Sequence, residues 1–118
     1  MQSTPELTDI QVLENETIED DIYAFKVRAT ITPYYLQIRF TSDRDFKRYS
    51  FQLYSDHPLL RWDNAPHYPA LQNPPHHFHD QYGHVTPSSL TGNLLPDFEI
   101  VWSEIKNFLR TQQTESHS

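Results

Sequence analysis

Three consecutive segments of this chain alternate apolar and polar residues with a period of two, and nothing else in the sequence restricts the fold as much. In 22–31 the apolar positions are Tyr23, Phe25, Val27, Ala29 and Ile31, with Lys26, Arg28 and Thr30 between them. In 34–41 they are Tyr34, Leu36, Ile38 and Phe40, opposed by Gln37 and Arg39. In 48–55 they are Tyr49, Phe51 and Leu53, opposed by Arg48, Ser50 and Gln52. Such alternation marks strands with one face on a core and the other in water. The links, Thr32-Pro33 and 42–45, are short and polar enough for antiparallel connections.

Weaker strand signals flank this block, at Asp9–Glu14 and Leu59–Trp62. Near the C-terminus Phe98, Val101, Trp102, Ile105, Phe108 and Leu109 recur at spacings of three and four, the stripe of an amphipathic helix. Pro96 suits its first turn, and Asp97 and Glu99 suit its positive end. The expectation is an α+β fold: an antiparallel meander of four to five strands, one C-terminal helix packed on its apolar face, and a long ordered His/Pro-rich loop. A chain of 118 residues has room for one domain, spanning 1–118, with 1–8 and 112–118 as flexible tails. Only 36% of the residues are hydrophobic, so the core must rely on seven Phe, seven Tyr and two Trp.

Composition narrows the function. The absence of cysteine excludes a disulfide framework, a thiolate nucleophile and Cys-ligated zinc. With two glycines there is no phosphate-cradling loop, and no Ser or Thr sits in a recognisable nucleophile setting. No apolar run suits a membrane span and the N-terminus does not read as a signal peptide, so no membrane association and a cytoplasmic location are expected. Net charge is −7, which opposes a broad grip on nucleic acid. Most of the nine basic residues nevertheless fall between Lys26 and Arg61. Lys26, Arg28, Arg39 and Arg48 would share the sheet's polar face, either as a solvated surface or as a shallow cationic platform for a phosphate backbone or an acidic partner.

The stretch Arg61–His84 concentrates chemistry-bearing side chains among prolines, which favour extended or turn-like backbone. In an extended run His77 and His79 point one way and His76 the other. Two chemistries are open. One is a divalent transition metal site, zinc for example, with His67, His77 and His79 as ligands or Asp63 in place of His67. The other is metal-free acid–base catalysis on a phosphodiester: two of His67, His76, His77 and His79 exchange protons while Arg61 stabilises charge. A non-catalytic reading also stands, since Asp63 and Asn64 are good turn residues and the loop could simply dock a partner protein.

The segments RWDNAPHYP (Arg61–Pro69) and PPHHFH (Pro74–His79), followed by one helix, resemble the TumE family of small toxins, which are encoded beside helix-turn-helix antitoxins. The resemblance is best over Arg48–Leu109. Tyr68 stands where the family usually has a second histidine, Phe78 replaces a lysine between histidines, and Asp80–His84 reads as an insertion. The family's N-terminal helix is reduced or absent. The resemblance implies a toxin with an antitoxin partner rather than a particular reaction; many small toxins cut RNA, and by that analogy a ribonuclease-like or other RNA-directed activity is expected. The candidate catalytic set is Arg61, Asp63, Asn64, His67, His76, His77 and His79, with Asp63 orienting a histidine. Strand edges leave room for a homodimer.

Overall fold

The alternating segments form the centre of one antiparallel sheet in a computed structural model that describes residues 6–43, 47–65 and 76–116. The strands are β1 (Thr8–Glu19), β2 (Ile22–Ile31), β3 (Tyr34–Ser42), β4 (Lys47–Tyr54), β5 (Pro58–Asp63), β6 (His77–His79) and β7 (Val85–Pro87), followed by the helix α1 (Leu94–Ser116). They lie side by side in chain order, each antiparallel to the last. The meander is therefore as expected, with seven strands where four to five were anticipated. Among the described residues no helix is long and apolar enough to cross a membrane.

The core sits between one sheet face and α1. Ile31, Leu36, Phe40, Tyr49, Phe51, Leu53, Leu60 and Trp62 are buried from the sheet, and Val101, Ile105 and Leu109 from the helix. Those helical positions belong to the expected stripe, and their spacing of four keeps them on one side of α1. Trp62 Nε1 donates to Glu104 Oε2 at 2.6 Å, which ties helix to sheet with a partly buried, charge-assisted bond. The helix start is held by Asp97, whose carboxylate reaches back to accept from the backbone N–H groups of Thr91 and Gly92. Gly92 has φ of 91°, a left-handed conformation that glycine adopts at little cost.

The corrections to the sequence reading have physical causes. The first strand runs through Glu19, well past Glu14, and every residue in it is exposed. Its pairing with β2 is backbone pairing, so no buried stripe announces it. The His/Pro stretch is not one long loop, because β6 and β7 arise from it, each three residues long. Strands this short carry too little pattern to be read. The segment Asp80–His84 is the turn between them: Asp80 Oδ1 accepts from the N–H groups of Tyr82 and His84, and Gly83 takes φ of 86°. The helix continues to Ser116, into the segment expected to be a flexible tail. No N-terminal helix occurs among the described residues.

Candidate active site on the polar face of the sheet

Strand register decides which of the candidate residues meet. In the β5–β6 pair Asp63 lies opposite His77 and Arg61 opposite His79. Positions two apart on a strand share a face, so all four project from the side of the sheet away from α1. His77 Nε2 lies 2.6 Å from Asp63 Oδ1, and His79 Nε2 lies 3.5 Å from Asp63 Oδ2. Arg61 donates from Nε to Asp63 Oδ2 at 2.7 Å, and the Ala65 N–H donates to Oδ1 at 3.0 Å. One carboxylate thus organises two imidazoles and a guanidinium. Asp63 and His77 are buried, whereas the side chains of His79 and Arg61 remain 29% and 42% exposed, so these two are open to solvent. Burial pushes the His79 imidazole below the usual histidine value; Asp63 pulls it back up, and His77 and Arg61 add to the downward push. A neutral imidazole at pH 7 is the form that can accept a proton.

His76 points to the other side. Its Nδ1 lies 2.8 Å from the hydroxyl of Tyr49, and the two rings stack at 5.8 Å. Burial raises the Tyr49 hydroxyl far above the usual phenol range, with the charges of Asp97 and Asp63 adding to it. The phenol therefore keeps its proton and can donate it to Nδ1. Burial also pushes His76 down, against the pull of Asp97. His76 cannot share a reacting group with His77 and His79, because the sheet lies between them. Asn64 has a different task again. Its Oδ1 accepts from the Tyr49 N–H and its Nδ2 donates to the Lys47 carbonyl, so the side chain extends β5 along the start of β4. It anchors the strand end that carries Asp63. His67 lies outside the described residues. His57 and His84 pair with Asp56 and Asp80 in exposed turns and join neither cluster.

Beside the Asp63 cluster is a cleft of about 150 Å³ lined by Arg39, Thr41, Arg48, Ser50, Arg61 and Asp63 among others. The alternation on β3 and β4 placed Arg39 and Arg48 on this face. Nothing in the sequence placed them beside Asp63, since that follows from the pairing of Ser50 with both Arg39 and Asp63. Tyr49, which reads as a core aromatic, carries no local sign of its bond to a histidine 27 positions away.

The same cluster offers metal ligands. Asp63, His77 and His79 present donor atoms within 4.8 Å of one another. Ligands of a tetrahedral ion with bonds of 2.0–2.1 Å sit about 3.3 Å apart. The contact of 2.6 Å between His77 and Asp63 would have to open, and Arg61 would have to leave a carboxylate it now bonds at 2.7 Å. A guanidinium next to a cation site also opposes the ion. The residues fit proton chemistry as they stand and fit a metal after rearrangement.

No curated protein matches the chain, and no solved structure does. A family model described as toxin TumE matches residues 2–109, nearly the whole length, so the chain belongs to the TumE toxin family, and that membership implies an antitoxin partner.

Proposed function

We propose that this toxin acts on RNA, with His79 as general base and Arg61 as the cation that stabilises charge on the reacting phosphate. The observation that carries this reading is the single carboxylate of Asp63 in contact with His77, His79 and Arg61 at the edge of a cationic cleft. A neutral, part-exposed His79 can take the proton of a ribose 2′-hydroxyl as its oxygen bonds to the adjacent phosphorus; the bond from phosphorus to the 5′-oxygen breaks, and that oxygen leaves with a proton from solvent, giving a 2′,3′-cyclic phosphate. Arg61, already oriented by Asp63, meets the negative charge that builds on the phosphoryl oxygens. Asp63 and His77, both buried, are positioning residues. Many small toxins of toxin–antitoxin pairs cut RNA, so analogy contributes to the choice of substrate.

The test is growth arrest together with cleavage of RNA by purified protein. His79→Ala and Arg61→Ala should each lower both by at least ~100-fold while circular dichroism stays unchanged. If both variants arrest growth as well as the parent, the enzymatic reading is wrong and a non-catalytic interaction module takes its place. A second reading uses Asp63, His77 and His79 as ligands of a divalent transition ion such as zinc, on the strength of their mutual proximity. Stoichiometric metal in the purified protein and a chelator-sensitive melt would install it; absence of both retires it.

The partner follows from the outer edge of β1. This strand exposes Ile10, Val12 and Ile18 and carries Asp9, Glu14, Glu16 and Glu19. Antiparallel pairing with a second copy would bring together two edges with four acids each, a like-charge repulsion that is destabilising. A basic, extended segment of an antitoxin, of the helix-turn-helix type in this proposal, complements the edge better than a homodimer does. The toxin alone should then run as a monomer in light scattering, and the pair as a complex lost at high salt. The setting is cytoplasmic in this reading, where RNA and antitoxin are made.

A further inference from the structure

The polar face is a grid. Register sets Lys26, Arg39, Ser50, Asp63 and His77 in one row across β2 to β6, and Arg28, Gln37, Gln52, Arg61 and His79 in the row beside it. Arg48 extends a third row, opposite Thr41. Positive charge gathers at the β2–β4 end and the Asp–His cluster occupies the β5–β6 end. The separation from β2 to β6 is four inter-strand steps, roughly 19 Å at about 4.8 Å each.

These cations are not equivalent. Lys26 faces Glu14 on β1, and Arg28 bonds Gln11 Oε1 through Nη2 at 2.7 Å, so β1 already engages this pair. Arg39, Arg48 and Arg61 all line one cleft, with Thr41 and Ser50 as hydroxyl donors on its wall. At about 150 Å³ the cleft is well above the volume that a single water needs, room for a phosphate group with residual solvent. Arg61 is held by Asp63 Nε-first, which fixes its guanidinium between the cleft and the imidazoles. Planar guanidiniums suit phosphate oxygens better than any other side chain. Among the described residues that line the cleft Asp63 is the one acid, and it already accepts from Arg61.

We infer that the Arg39–Arg48–Arg61 cleft is a backbone-phosphate subsite that grips a nucleotide next to the one at His79, so that a single RNA strand crosses the sheet perpendicular to its strands. Arg61 is shared between the two phosphates, and Arg39 and Arg48 are binding residues that take no part in proton transfer. The inference rests on the RNA-directed reading, and the experiment separates the two.

The probe is a fluorescein-labelled 2′-O-methyl oligonucleotide, which lacks the hydroxyl needed for attack, titrated with full-length protein at several salt concentrations and read by anisotropy. Each lost phosphate contact on a single strand removes about 0.7 from the slope of log affinity against log salt. Arg39→Gln and Arg48→Gln should each flatten the slope by about that amount and weaken binding several-fold, with melting temperatures unchanged, and the double variant about tenfold or more. Lys26→Gln should flatten it less, because Glu14 faces that lysine. If the parent binds but both arginine variants keep its slope and affinity, the subsite is wrong and the RNA reading survives. If the parent fails to bind the probe at any salt, both fall together.

Discussion

The motif PPHHFH contributes neighbouring histidines to two unlike places. His77 and His79 join Asp63 and Arg61 on the polar face, beside a cleft open to solvent. His76, one position earlier, lies against Tyr49 on the helix side, near the tight turn at Gly92. Residue type and local sequence are the same; only the parity of the strand differs. On one side imidazoles meet a carboxylate and a solvent path, which allows chemistry. On the other an imidazole is a hydrogen-bonding filler between a tyrosine and a helix start. A count of histidines is therefore no count of active-site groups.

The largest effect expected from the comparison is at Asp63. Asp63→Ala removes the acceptor of Arg61, Ala65 and His77 at once and leaves a buried imidazole without its carboxylate. Urea unfolding should show a loss of about 3–5 kcal/mol, together with loss of toxicity. If the loss is under about 1 kcal/mol, the carboxylate is not organising the cluster. Next comes the split between the two faces. His76→Ala should cost about 1–2 kcal/mol in the same experiment while growth arrest persists, whereas His79→Ala should do the reverse. Toxicity lost in both variants with folding intact would erase the distinction. Tyr49→Phe removes only the hydroxyl that meets His76 and should cost about 1 kcal/mol, with toxicity unchanged.

The smallest effect concerns pH. His76 and His79 both lie below the ordinary value of 6.5 in the folded chain. As pH falls below about 6.5, the unfolded chain binds protons that the folded one resists, so stability is full above that value and declines through the acid window beneath it. Melting temperature should drop between pH 7 and 5, by less in His76→Phe. A melting curve flat across that range in the parent would mean that neither imidazole is shielded. Both groups are only part buried, and the slope is correspondingly shallow.

Much of the fold was legible because period-two alternation is a local property. β2, β3 and β4 and the stripe on α1 follow from residues two, three or four apart. β1 was flagged only over Asp9–Glu14, because an exposed edge strand has no buried face to record, and β6 and β7 escaped because three residues cannot establish a period. The candidate site was legible in its inventory: Arg61, Asp63 and the histidines stand out by type and by the motif they share with the toxin family. Their assignment to faces was half legible, since alternation separates His76 from His77 and His79. Asn64 was misleading, because an amide in that motif suggests chemistry, whereas here both its polar atoms bond the backbone of β4.

By itself the chain determined an antiparallel meander, a helix to cover it, membership of a toxin family and the stock of reactive side chains. Only tertiary structure decided that Asp63 meets His77 across a gap of 14 positions, that Arg39 and Arg48 border the same cleft, and that Tyr49 claims His76. The reason is one of range. Alternation and helical stripes are written between near neighbours, while a site is made by strand register, which depends on backbone pairing between segments far apart in sequence and leaves no mark on the residues it brings together.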